Sequence, residues 1–525
     1  MTTLADIFAS LPQRFKADKA GDYAAVFHFE FALADKSTER YTVRIGQGAC
    51  QVAPDWQGEA ACTVRADAQT YIDLTLGKGS PQMAIMTGKV KVSNIPEMLR
   101  FAPLFGKFTP ISGEAPAPLK GAPTRKPTQG PLQGLRIVDL TRLLPGPLAT
   151  MLMADMGAEV IKVESPSFKD YTRDFPPYIK GESAAYLAFN RSKRNLALDY
   201  SKPEGYQALL ELIKTADIFI EQFRPGVLQK MGLAYEDLKA VNPRLIYVSV
   251  TGYGHTGPYA QLAGHDLNYI AYAGLLSGNA QSAPQIPTPQ IADIAGGSYM
   301  AVIACLSALH ARQQTGKGQF VDVAMLDGVM PLAINNLMLY TSTGQSPSRE
   351  QGFLSGGLVN YGIYPTKDEK YVVLGTLEAK FWNKFCEVVA RPEWKNRMLP
   401  AAPDILAQHK AELTALFTQH PQAYWVDLGL KHDLLITPVY ETSELDQDPQ
   451  VQARQMIISQ EHPVAGTIKN IGVPLKFSDT QAAPAWPAPV LGEDSLALMQ
   501  EIGLSPEQIQ ALAKAGLLTC QTAER

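Results

Sequence analysis

The stretch GLRIVDLTRLLPGPLATMLMADMGAEVIKVESP, residues 134–166, leaves few folds open. Two apolar runs, IVDL and EVIKVE, flank a segment of helical length with Pro147 in its first turn and Gly157 at its end. Proline fits a helix start, where its missing N–H costs nothing, and glycine fits a helix stop. Strands that read as continuous apolar runs are buried on both faces, and two of them joined by a helix lie parallel. The alternation of strand and helix continues through NRSKRNLALDYS, TADIFIEQFRPGVLQKMG and RLIYVSVTGYGHTGPYA, so a parallel α/β sheet is expected. Its first turn carries Pro145-Gly146-Pro147 rather than GxGxxG, which disfavours a dinucleotide cofactor.

At 525 residues the chain has room for several folding units. EAPAPLKGAPTRKPTQGPLQG, residues 114–134, is rich in Pro, Gly and Ala, a linker composition that separates a unit at 1–113 from the rest. In that first unit AAVFHFEFALAD, ERYTVRIG and GACQVAP alternate apolar and polar residues as half-buried strands do, so an α+β fold is expected. A hydrophobic fraction of 46%, a charged fraction of 19% and a net charge of -4 describe a globular protein with no electrostatic case for nucleic acid or anionic membranes. The five cysteines lack CxxC spacing, which argues against a metal site or a disulfide framework and for a reducing compartment. The N-terminus lacks the apolar core of a secretory signal, and no apolar run is read as spanning a bilayer. The expectation is cytoplasmic, without stable membrane insertion.

His265 lies in AGHDLNYIAYAG, followed by Asp266, and Asp293 lies in PQIADIAGGSYMAVIACLSALHARQQTGKGQ. The second segment reads as a long helix opening just after Asp293, which would then be its N-cap. Gly296 and Gly297 in a first turn cost roughly 1 kcal/mol each against alanine. Close approach of a ligand to amides at the positive helix end would account for them, with a thioester oxygen held there as it becomes an enolate. Arg191, Lys193, Arg194 and Arg224 fall at strand or loop ends, where parallel sheets place ligands, and together predict an anion site.

Two resemblances organise these observations. The run with Ala84, Met86, Gly88, Lys89 and Lys91, followed by a Leu/Phe-rich helix, resembles the end of the sterol carrier protein type two domain, and that likeness covers about the first 115 residues. It implies an apolar tunnel for a sterol or fatty acyl ligand, with Met83, Met86, Met98, Leu99, Phe101, Leu104 and Phe105 near it. From Gly134 to the C-terminus, the motifs VDLTRLLPGPLATMLMADMGAEVIKVE, NRSKRNLALD, FRPGV, GYGHTGPYA, GHDLNY, ADIAGG and TGKGQ resemble the superfamily of family III CoA-transferases and α-methylacyl-CoA racemases.

The second resemblance implies a Rossmann-like CoA-binding large domain at 134–325 and 455–525, a smaller α+β domain at 326–454, and two chains interlocked as linked rings. It implies CoA contacts at Lys162, Arg191, Arg194 and Arg224, with Gly264, Gly296 and Gly297 beside the ligand, and CoA as part of the substrate rather than a cofactor. Racemases of this kind carry GHDxNY and use its histidine and the later aspartate as bases on opposite faces of the α-carbon. By that likeness His265 and Asp293 interconvert the epimers of a 2-methylacyl-CoA, with Asp266 assisting His265 and Glu378 of one chain bonding Tyr269 of the other. A proton moved from one face of a carbon to the other needs two such groups, and an imidazole, with a reference pKa of about 6.5, serves in either direction. The alternatives are a CoA-transferase with Asp293 as nucleophile, and a non-catalytic acyl-CoA or lipid-binding protein. SGGLVNYGIYPT departs from the usual racemase glycine motif, and Lys162 stands where arginine is usual.

Overall fold

A computed structural model describes residues 3–520 apart from 34, 36, 47, 77–80, 107, 109–124, 126–128, 278–282 and 347–351, with the side chains of 18 and 82 also left out. Most of the expected linker at 114–133 thus lies outside the described residues.

The largest sheet has seven strands, in the order Phe320–Ala324, Ile246–Thr251, Ile218–Glu221, Arg136–Asp139, Glu159–Glu164, Lys193–Leu198 and Leu518–Thr519. The first six are parallel, and Leu518–Thr519 closes the edge antiparallel. Its central strands are buried on both faces, and the charged side chains they carry, such as Lys162 and Lys193, are buried with them. Ile218, Ile220 and Val248 enter the core on one face, while Phe219 and Tyr247 enter it on the other. Each such fully buried side chain stabilises the fold by roughly 1.5–3 kcal/mol. The helix Pro145–Asp155 crosses between the first two strands in sequence, as the proline and glycine signals require. Strand order reverses beside Arg136–Asp139, since the next strands in sequence lie to one side and Ile218–Glu221 to the other. In open α/β sheets the crevice at such a reversal, beyond the carboxyl ends of the strands, is where ligands bind.

A π-helical segment, Ala292–Tyr299, continues into the α-helix Met300–Thr315. The combined helix has 24 residues, and its most apolar 18-residue window has a mean hydropathy of 1.5; it is long and apolar enough to cross a membrane by length and composition, which corrects the sequence reading that no run qualifies. Its Ala301, Cys305 and Ala308 are packed into the core beside the sheet, and Arg312 is paired with Asp217 at 2.8 Å.

A second unit has three antiparallel strands, Tyr361–Pro365, Tyr371–Gly375 and Ile436–Pro438, with a core that includes Trp382, Phe385, Phe417 and Trp425. The N-terminal unit is a five-stranded mixed sheet whose central strand, Ala25–Ala32, puts Phe27, Phe29 and Phe31 on one face against Phe8 and Phe101. Phe101 and Leu104 are core residues, whereas Met86 is 79% and Leu99 67% exposed, so those two do not line an internal cavity as expected. All five cysteines are free.

Candidate functional site

At the reversal point the chain ends of four strands surround a cleft of about 530 Å³. The strand ending at Asp139 contributes Leu140, Arg142 and Leu143, and the strand ending at Glu221 contributes Gln222, Phe223 and Arg224. Gly252 and Tyr253 follow the third strand and Met325 the fourth. Gly264, His265, Tyr269 and Asp293 complete the wall.

His265 directly precedes the helix Asp266–Tyr272, and its backbone N–H donates to Asn268 Oδ1 at 3.0 Å. Its exposed imidazole is left to the cleft. Tyr269 is buried, edge-on to Tyr253 with ring centroids 5.1 Å apart. Gly264 is glycine for that reason: a Cβ there would lie 2.6 Å from the Tyr269 ring and 2.9 Å from the Tyr253 hydroxyl.

Asp293 is not the N-cap of its helix. It sits within the π-helical turn, and the capping carboxylate comes from another element: Asp266 Oδ1 accepts the backbone N–H groups of Ala292 at 2.6 Å and Asp293 at 3.0 Å. Asp266 therefore holds the helix that carries Asp293 and places a second carboxylate beside it. Burial, reinforced by Asp266, pushes the Asp293 carboxyl up to about 7. A group so poised exists in both protonation states near neutrality.

Gly296 and Gly297 serve packing rather than a ligand. A Cβ on Gly296 would lie 2.3 Å from the Met325 carbonyl oxygen, and one on Gly297 would lie 2.8 Å from Pro145 Cβ. Both are buried and neither lines the cleft.

Three of the four expected CoA contacts are also corrected. Lys162 is fully buried, 2.8 Å from Asp170 and bonded to the Thr141 carbonyl. Arg191 is 1% exposed and spent on Asp155 at 2.8 Å and the Ile471 carbonyl at 2.6 Å. Arg194 is 2% exposed and spans Glu159 and Glu501. Lys193 is buried against Asp139, with burial pulling its amine down to about 8. Arg224 alone of the four lines the cleft and is exposed. Arg142, which the sequence reading passed over, lines the same cleft and stacks over Phe223 at 5.1 Å. Its signal was its place just after an apolar strand, the same placement that marked Arg224. Glu378 sits exposed at the start of the helix Ala379–Val388, in the three-stranded unit, and does not line the cleft of its own chain. Among the described residues no cluster of three His, Cys, Asp or Glu side chains is placed to hold a metal ion.

Residues 132–495 match the CoA-transferase family III. The chain belongs to that family. Residues 8–105 match the SCP-2 sterol transfer family, so the family III region carries a sterol-carrier-like domain ahead of it. Its family III relatives include human succinyl-CoA:glutarate CoA-transferase, 33% identical over 379 residues (71% of this chain, 86% of that protein), and human alpha-methylacyl-CoA racemase, 32% identical over 388 residues (73% and 96%). A solved CAIB/BAIF family protein from Brucella suis superposes with a TM-score of 0.63 at 34% identity, covering 71% of this chain and all of that one. The family thus groups racemase and transferase relatives at nearly equal identity, and the side chains of the cleft must discriminate between them.

Proposed function

We propose that this protein is a racemase of 2-methylacyl-CoA thioesters that needs no cofactor, with CoA entering as part of the substrate. The observation that carries the reading is the pairing in one cleft of an exposed imidazole, His265, with a carboxyl, Asp293, pushed up to about 7. A carboxyl so raised is a competent proton donor and acceptor near neutrality, whereas a nucleophilic carboxylate gains nothing from being half protonated. His265 removes the α-proton of one epimer while Asp293 protonates the opposite face of the enolate, and the reverse direction exchanges their roles. Arg224 and Arg142 hold the phosphates of CoA at the rim.

The cleft opens on one chain, yet the helix Ile334–Thr343 buries none of its residues and exposes Ile334, Leu337, Met338 and Tyr340. An apolar helix left bare in this way is the kind of surface a second copy covers, which supports a homodimer; its interlocked form, with Glu378 of the other copy reaching Tyr269, is part of the proposal. The N-terminal domain takes a bulky apolar acyl ligand, and its tether raises the local concentration of substrate. A cytoplasmic location is in keeping with five free cysteines.

The second reading, a CoA-transferase in which Asp293 attacks the thioester, is favoured by the similarity to the human glutarate CoA-transferase. The two part at His265. His265→Ala is expected to suppress α-proton exchange from the epimer it deprotonates by about 10²–10⁴-fold, and an unchanged exchange rate would remove it from the reaction.

A further inference from the structure

Behind the cleft wall lies a buried carboxyl that the proposed chemistry does not use. Glu221, 3% exposed, ends its strand in register with Ser249 of the neighbouring strand, whose hydroxyl hydrogen-bonds it. Glu221 Oε2 also accepts the Phe223 N–H at 2.7 Å, closing the turn that carries Gln222, Phe223 and Arg224 out of the sheet and into the cleft. Ser249 Oγ lies 2.7 Å from His255 Nε2. The Ser249 hydroxyl thus stands between the Glu221 carboxyl and the His255 ring. The backbone N–H of His255 donates in turn to Asp322 Oδ2 at 2.8 Å, and the ring meets Phe320 edge-on at 5.0 Å.

This network has no cation in it. Burial pushes Glu221 up to about 7 against the hydrogen bonds from Ser249 and Phe223, and Asp322 adds to the rise. An uncharged side chain would hold a simple turn without that desolvation cost. The network also joins two cleft walls: the turn after Glu221, and the loop from Gly252 to Ala260 on which His255 sits. Through Phe223 it reaches the Arg142 guanidinium stacked on that ring.

We propose that Glu221, Ser249 and His255 are positioning residues that fix the turn carrying Phe223 and Arg224, and so set the affinity of the cleft for the phosphate-bearing part of CoA without touching the reacting carbon. The proposal rests on the acyl-CoA reading of the cleft. Its test is calorimetric titration of the full-length protein with CoA, beside kcat and KM for an acyl-CoA substrate. Ser249→Ala is expected to weaken CoA about tenfold and raise KM alike, with kcat within about twofold, and Ser249→Thr to restore both. If Ser249→Ala does not fold, His255→Gln at its half-buried position carries the same expectation. Unchanged CoA affinity in the folded variant, or a loss confined to kcat, overturns the positioning role. Failure of the wild-type protein to bind CoA overturns the acyl-CoA reading itself, and this proposal with it.

Discussion

Beneath the sheet ends and above them, the same residue types meet opposite fates. Below, Lys162, Arg191 and Arg194 are each neutralised by a carboxylate and shut away from solvent. Above, Arg142 and Arg224 stand at the rim of the cleft, and the carboxylates there face each other rather than a cation, Asp266 beside Asp293. The lower region is charge used for structure: breaking a buried pair leaves an unpaired ion, which costs far more than the pair itself contributes. In the upper region neither arginine is paired with a carboxylate among the described residues, as suits a site that takes an anionic ligand.

The contrast yields predictions that break or sharpen it. Asp293→Asn is expected to cut α-proton exchange by about 10³-fold. The same change is expected to raise stability at pH 8, measured by denaturant titration. A carboxyl raised to about 7 in the folded state contributes stability that is full below its unfolded value and lost as pH rises through 7, and asparagine removes that loss. A destabilised variant at pH 8 would mean that Asp293 is structural.

Arg191→Ala is expected to cost about 3–5 kcal/mol of stability with KM for acyl-CoA unchanged, since its partner Asp155 would be stranded in the core. A raised KM in a stable variant would return Arg191 to the ligand.

Arg142→Ala and Arg224→Ala invert that pattern, raising KM for acyl-CoA about tenfold while thermal midpoints stay within a few degrees. A further effect, beside the cost of stranding Arg173, is expected in acid. Arg173 holds the Glu164 carboxyl down to about 2 against burial. That contribution is full above the unfolded value of about 4.3 and is lost as pH falls toward 2, so Glu164→Gln should flatten acid unfolding over that range. An unaltered acid limb would show the pair to be idle.

Much of the fold was legible because strands buried on both faces leave short, dense runs of β-branched and apolar residues, as IVDL and EVIKVE do. The convergence of His265, Tyr269, Asp293 and Arg224 was legible through the resemblance, since GHDLNY, ADIAGG and FRPGV carry all four. What failed depended on partners distant in sequence. Arg194 meets Glu501 across 307 residues, and nothing near Arg194 announces that carboxylate. Gly296 owes its identity to the Met325 carbonyl, a contact that exists only once two helices pack. The cap on the helix of Asp293 came from Asp266, 27 residues earlier, so an acidic residue at a helix start was assigned the role of its neighbour in space.

The central claim is that this cleft moves a proton rather than CoA. Proton NMR of the purified protein with a 2-methylacyl-CoA in deuterated water, with no free carboxylic acid present, tests it most directly. The account predicts loss of the α-proton signal and appearance of both epimers. No exchange, followed by movement of CoA once a carboxylate acceptor is added, would contradict it and make Asp293 a nucleophile.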